Sequence, residues 1–445
     1  MPSSATTEEL ILRDGKLVSD LVSEKDGRIS RRIYTDPEIF EFEQERIFRQ
    51  AWQFLAHESE LSEPGDYLVR NLAGESVVLI KGDDQVIRVF LNSCRHRGMR
   101  VCRADRDNVR HLRCVYHGWT YDRKGDLVAA FAEQLYTPEN LRKEELGLIP
   151  VPHVDSYRGM IFGSWASEIT SLAEYLGDMR FYLDLYLAHT DKGVEVVGSP
   201  HVWEVNTNWK FAADNFTGDN FHIHTAHGSI VSLGMMPPDP MSLAGGHLVD
   251  AGSGHVLHVV PGPPDPVFAD LGMPPELVAE FDRNLLPAQR AIVHNTAWSV
   301  GTVFPNLSFL QVMVQGDEDS PMTPFLSFRT WEPTGPTTTR VSSYLLVDKD
   351  APEWYRQASY EAYVRTFGPS GIFEQDDMEN WEDCTRANSG KIAQRYDLHH
   401  GMGLHLDPDP GFPGPGTAYP GSYGERTQLA FYDEWKKWMT GGVPR

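Results

Sequence analysis

Residues 76–91, SVVLIKGDDQVIRVFL, read as two apolar, β-branched runs separated by Gly-Asp-Asp, the pattern of a β-hairpin. The next stretches, LRCVYHGWTYD and RGMIFGSW, are short, β-rich and punctuated by glycine. They predict a small antiparallel β domain over residues 52–168. From about residue 200 the runs HVWEVNTNW, NLSFLQVMVQ, FLSFRTW and RVSSYLLVD show partial period-two alternation and predict strands. Asp350 and Pro352 mark a helix start, EWYRQASYEAYVRTF is its body, and Gly368-Pro369 ends it. A second helix follows, with Ser370 as its expected cap and Phe373, Asp377, Trp381 and Cys384 on one stripe. Residues 236–276, rich in proline and glycine, predict long loops or a lid, and 406–421 an irregular segment. The fold class expected is α+β: an N-terminal segment at 1–51, a small antiparallel β domain at 52–168, and an antiparallel sheet with helices at 169–445.

Charge and composition narrow the possibilities. The chain has 445 residues and a formal net charge of -23, from 63 acidic and 40 basic side chains. Such a surface repels phosphate backbones, so nucleic acid is not an expected partner. No run approaches the roughly eighteen apolar residues of a membrane helix, and MPSSATTEEL lacks the pattern of a signal peptide. The expected location is the cytoplasm, without membrane association. Four cysteines in so long a chain, three of them within residues 94–114, do not make a disulfide framework. In a reducing compartment they point to a metal site.

That site is suggested by NSCRHRGMRVCRADRDNVRHLRCVYHGW, residues 92–119. Cys94-x-His96 and Cys114-x2-His117 each place one thiol and one imidazole on a loop, and glycine follows each pair at 98 and 118. Zinc ligands usually come as paired cysteines and paired histidines. One of each per loop suits a [2Fe–2S] cluster better, since each loop then serves both irons. The segments NSCRHRG and CVYHGW resemble the two loops of a Rieske domain. The resemblance implies that Cys94 and Cys114 bind one iron and His96 and His117 the other. It leaves Cys102 as a packed residue and His111 as a surface imidazole.

A second constellation lies in NWKFAADNFTGDNFHIHTAH, residues 208–227. On a helix Asn215, Asp219 and His222 would form a polar stripe flanked by Phe211, Phe216 and Phe221, and His222, His224 and His227 suggest a metal. His222 and His227 are five apart, so the backbone would have to bend or unwind to aim both inward, with Gly218 a weak point. His224 and His227 sit closer on a regular turn, and spacing does not choose between the pairs. Asp377 falls on the apolar stripe of its helix and needs a partner there, either a metal ion or a buried Arg or Lys. Two histidines and a carboxylate form the facial triad of non-haem Fe(II) oxygenases.

Over nearly its whole length the chain resembles the large subunit of Rieske ring-hydroxylating dioxygenases of the naphthalene and biphenyl type. Residues 208–227 match the family's iron-binding segment and FGPSGIFEQDDMENW its carboxylate segment. The resemblance implies a helix-grip fold for the 169–445 domain, with the 1–51 segment packed on it, and His222, His227 and Asp377 as ligands of a mononuclear Fe(II) there; it passes over His224. It implies that Asp219 bridges His222 to the partner subunit's His117 in a three-fold ring, as a trimer or with a small β subunit as a hexamer. The implied reaction is cis-dihydroxylation of an aromatic ring, mono- or polycyclic and conceivably an aromatic acid, with a Rieske monooxygenase as the alternative. Electrons would come from a ferredoxin and an NAD(P)H-dependent reductase, because no dinucleotide fingerprint is found in this chain. Asn215, Phe216, Phe367 and Phe373 are the expected substrate pocket. No arginine lies near the ligand motifs, which weakly disfavours a carboxylated substrate, although loops 236–276 and 286–310 could supply one from elsewhere.

Overall fold

The computed structural model describes residues 9–234, 236–263, 265–315 and 321–441. It divides into two compact units, Phe48–Leu172, and the residues up to Ile47 together with those from Ala173 onward. Among the described residues no helix is long and apolar enough to cross a membrane.

The Phe48–Leu172 unit is built from antiparallel strands. Four of them, in the order Ile87–Leu91, Glu75–Lys81, Asp66–Leu72 and Arg106–Asn108, form its main sheet. The Glu75–Lys81 strand is apolar on both sides because both faces are covered. Val78 and Ile80 pack into a core with Cys94, Cys102, Cys114, Trp119 and Tyr121, and Val77 and Leu79 into a second with Leu55, Leu68 and Ile161. A smaller sheet of Leu112–Arg113, Thr120–Tyr121 and Leu127–Ala129 carries the second cysteine loop. The cysteine loops thus close one end of a packed core.

The larger unit is organised around a nine-stranded antiparallel sheet. Its strands are β1 (Val194–Val196), β2 (His201–Val205), β3 (His247–Asp250), β4 (Val256–Pro261), β5 (Thr296–Val303), β6 (Leu307–Val314), β7 (Thr323–Gly335), β8 (Thr338–Asp348) and β9 (Thr417–Pro420). They run in the order β1-β8-β7-β6-β5-β4-β3-β9, with β2 also paired to β8. The helices that matter for the site are α1 (Trp209–Asn215), α2 (Glu353–Phe367), α3 (Ile372–Asn388) and α4 (Arg426–Thr440). Alternation along β6 assigns its two faces. Phe309 meets Tyr186 at 5.5 Å on one side, while Leu310, Val312 and Val314 line a cavity on the other.

Three features of this unit differ from expectation. Residues 236–276 are not loops throughout, because HLVD and VLHVVP contribute β3 and β4; likewise β9 lies within 406–421. β-branched content outweighs the surrounding proline and glycine there. Gly371, not Ser370, is the N-cap of α3, with no side-chain cap bond. Its buried stripe runs through Glu374, Asp377, Trp381, Thr385 and Asn388 as well as Phe373, whereas Cys384 is exposed. Thr385 is inside because its Oγ1 accepts from the Asn208 N–H at 3.0 Å and meets Thr207 Oγ1 at 2.9 Å. Those bonds tie α3 to the start of α1.

A second tie fixes α1 from the other side. Glu43 ends the helix Pro37–Glu43 and is fully buried. It accepts from Lys210 Nζ at 2.5 Å, Trp435 Nε1 at 2.7 Å and Trp209 Nε1 at 3.0 Å. With these donors its charge is satisfied, and the N-terminal helix, α1 and α4 are locked together.

Candidate active site

The two cysteine loops share one construction. In each, the cysteine carbonyl accepts from the glycine four residues on, Gly98 at 2.8 Å and Gly118 at 3.0 Å. The cysteine N–H donates to the residue after that glycine, Met99 at 2.9 Å and Trp119 at 2.8 Å. Both glycines have φ near +70°, 74° and 72°, which explains why glycine is needed there. The loops bring the His96 and His117 rings to 4.6 Å between centroids, with His96 stacked on Trp119 at 5.2 Å. Both cysteines are buried and unbridged, and Tyr121 Oη lies 3.4 Å from Cys94 Sγ. Two thiols inside and two partly exposed imidazoles outside suit a binuclear cluster with one buried and one outer iron. Cys102 takes no part: it is packed in the core, and burial pushes its thiol up to about 12. His111 is exposed.

In the larger unit the expected helical stripe does not exist. α1 stops at Asn215, and the chain passes through Gly218 at φ +130° before a one-turn 3-10 element, Asn220–His222. A Cβ at Gly218 would lie 2.8 Å from Leu248 Cδ2 and 3.0 Å from Thr427 Oγ1, so only glycine fits this break. The unwinding is what lets residues five apart converge. His222 Nε2 and His227 Nε2 are 3.2 Å apart, and each is 3.3 Å from Asp377 Oδ1. Among the described residues this trio is the one such group whose ligand atoms lie close enough together to share a single metal ion. His224 points elsewhere and bonds the Pro237 carbonyl at 2.9 Å.

The other ring nitrogens fix the tautomers. His222 Nδ1 donates to the Asp219 carbonyl, with the Asp219 carboxylate 3.6 Å away, and His227 Nδ1 donates to Asp376 at 3.1 Å. In neutral rings held this way both Nε2 atoms present lone pairs to each other and to a carboxylate, an arrangement that is relieved either by a cation at its centre or by a proton on His222. The spacing fits a metal cation, since three donors bonded at about 2.1 Å and near right angles stand about 3.0 Å apart. Burial opposes charge on His222, but Asp219 and Asp377 outweigh it and hold the ring well above the usual imidazole range. Burial would also raise Asp377, yet the two histidines keep it below the usual carboxylate range.

Beside the trio lies a cavity of about 540 Å³. Asn215, Phe216, Phe367 and Phe373 all line it. Phe211 and Phe221 do not; they pack on Tyr34 and Tyr423. Sequence reasoning missed the sheet floor (Trp298, Val300, Leu310, Val312) and the loop wall (Met236, Phe268). It also missed His258, which burial keeps neutral by lowering it to about 4. An arginine does stand next to the ligand helix, contrary to expectation: Arg329 pairs with Glu374 at 2.5 Å. It does not line the cavity.

Residues 177–441 match the ring hydroxylating alpha subunit (catalytic domain) family and residues 51–138 the Rieske [2Fe-2S] domain family. The chain belongs to the Rieske ring-hydroxylating alpha subunits. A crystal structure of naphthalene 1,2-dioxygenase from Rhodococcus sp. bound to indole superposes with a TM-score of 0.93 at 44% identity, covering 96% of this chain and 97% of that one. The biphenyl 2,3-dioxygenase alpha subunit of Rhodococcus jostii (strain RHA1) is 34% identical over 95% of this chain and 91% of its own. The N,N-dimethyl phenylurea N-demethylase alpha subunit of Sphingobium sp. (strain YBL2) is 32% identical over 94% and 92%. As a ring-hydroxylating alpha subunit, the chain is an aromatic-ring dioxygenase with the family's two cofactors, a Rieske [2Fe–2S] cluster and a mononuclear iron. The mixed fold, a small β domain and a larger antiparallel sheet with helices, is the family's own.

Proposed function

We propose that Cys94, Cys114, His96 and His117 hold the cluster, that His222, His227 and Asp377 hold the iron, and that the substrate is a neutral arene of one to a few rings. The observation that carries the reading is the convergence of two imidazole lone pairs and a buried carboxylate at the edge of an apolar cavity. When bound, the cluster supplies electrons singly and the iron activates O2, so that both oxygen atoms enter the ring as a cis-dihydrodiol.

The chain's own residues do the rest. Val300, Leu310, Val312, Phe367 and Phe373 exclude water and hold a flat ring against the trio. No Lys or Arg is among the described residues lining the cavity, which argues against a carboxylated substrate. Asp219 keeps one carboxylate oxygen, Oδ1, buried without a partner among the described residues. The side chain as a whole is 24% exposed, so Oδ2, not the buried Oδ1, is the oxygen suited to accept from the partner subunit's His117 while the Asp219 carbonyl orients His222.

The quaternary reading is a three-fold ring, as a trimer or as a hexamer with a small β subunit; the "subunit alpha" designation of the relatives supports a second kind of subunit. A ferredoxin and an NAD(P)H-dependent reductase would supply electrons in the cytoplasm. The test is product analysis with a surrogate electron chain and a panel of one- to four-ring arenes, aromatic acids and an N-methylated aryl urea. Dihydrodiols from neutral arenes support the reading. Phenols alone, or formaldehyde from the urea, would move the chain to the demethylase side of its relatives.

A further inference from the structure

One buried cation links the cavity's aromatic wall to the carboxylate helix. Arg329, on β7, and Glu374, one turn before Asp377 on α3, are both entirely buried. Arg329 Nη1 donates to Glu374 Oε2 at 2.5 Å and Nη2 to the Phe367 carbonyl, at the end of α2, at 2.8 Å. The guanidinium carbon stands 5.1 Å from the Phe216 ring centroid and 5.5 Å from that of Phe367. Phe367 stacks on Phe373 at 5.1 Å, and Phe373 meets the His227 ring edge-on at 4.9 Å. Contact therefore runs without a gap from the arginine to an iron-ligand candidate.

Stability is a poor explanation for this pair. Two charges taken out of water are often no better than apolar residues of the same volume. Here the satisfaction is incomplete, since among the described residues Arg329 Nε and Glu374 Oε1 have no hydrogen-bond partner. What the pair does is register three elements, β7, the end of α2 and the first turn of α3, through one rigid fork.

We propose that Arg329 and Glu374 are a positioning pair that sets Asp377 against the two histidines and fixes the pitch of Phe216 and Phe367 over the cavity, and so selects which ring carbons are oxygenated. The inference rests on the trio being the iron site.

The experiment compares wild type with E374Q, R329K and R329M/E374L, each carrying its cluster. The readouts are Fe(II) affinity by chelator competition, the paramagnetic resonance signal of the Fe(II) nitric-oxide adduct, and the regioisomer ratio from a substituted naphthalene. The double variant is expected to melt no lower than wild type, to bind Fe(II) about tenfold more weakly, to broaden the signal and to scatter the product ratio. R329K, which keeps the charge but loses the fork, falls between. Wild-type affinity, signal and product ratio in both E374Q and R329M/E374L would overturn the proposal. So would loss of fold in both, which would make the pair a stability element. A wild-type protein that binds no Fe(II) at the trio would instead remove the ligand reading beneath it.

Discussion

Replacing Asp376 by alanine removes the acceptor of His227 Nδ1 and touches neither the cavity nor the ligand atoms. The bond is 3.1 Å long, and the histidine is only 2% exposed, so water has poor access to replace it. Asp376 itself is 31% exposed, which screens its charge and places the effect at the lower end of what such partners contribute. Loss of a carboxylate behind a ligating histidine typically costs ten- to a hundredfold in metal affinity. The expectation is therefore about tenfold, or about 1.4 kcal/mol. Asp376→Asn keeps an oxygen acceptor and should lose less. The assay is Fe(II) titration of cluster-loaded protein against a competing chelator, with the cluster's visible absorbance as a control for folding. Affinity within twofold of wild type for Asp376→Ala, or equal losses for the two variants, would refute the argument that this carboxylate fixes the His227 tautomer.

Four further outcomes are expected. Asp219→Asn should retain iron at both centres and nearly abolish turnover, and substantial steady-state activity in the iron-loaded variant would remove Asp219 from the pathway. Gly218→Ala puts a Cβ within 3 Å of Leu248 and Thr427 at φ +130°, so urea denaturation should show a loss of at least about 1–3 kcal/mol; an unchanged midpoint would contradict the break. Val312→Trp should fill the sheet floor of the cavity, and a substrate panel should show two-ring arenes lost before one-ring arenes. Burial lowers His255, His258 and His400 each to about 4. They stay neutral when folded but protonate when unfolded, so their contribution to stability is whole above about pH 6.5 and is lost as pH falls toward 4. Urea midpoints at pH 7 and pH 5 check this, and a flat profile would count against it.

What was readable in the sequence followed from local constraint. A cysteine with a glycine four residues on and a histidine between them is a complete loop instruction, and the structure repeats it at 94 and 114 with the same hydrogen bonds. The inward face of Asp377 was readable because a charge on an apolar stripe is conspicuous. The hairpin at 76–91 pairs as its pattern demands, Val77 with Leu91 and Leu79 with Val89. Features set by distant residues were not readable. The need to unwind between residues five apart, and Gly218 as the weak point, were legible; what was not is the packing of Gly218 against Leu248 and Thr427, residues with no local signature, which fixes the path to His222. Glu374 looks like a solvent-facing acid until Arg329, 45 residues earlier, is seen to neutralise it. Thr385 displaces Cys384 from the buried stripe because Thr207 and Asn208 bond it. β3 and β4 were hidden because proline and glycine around them dominate local composition.

The central claim, that two separate iron stations share this polypeptide, is tested most directly by counting iron. Reconstituted wild type should hold about three irons per chain, two in the cluster and one at His222, His227 and Asp377. His222→Ala/Asp377→Ala should hold about two, with the cluster's absorbance unchanged. A wild-type count of two with a full cluster, or a count of three that survives both substitutions, would contradict it.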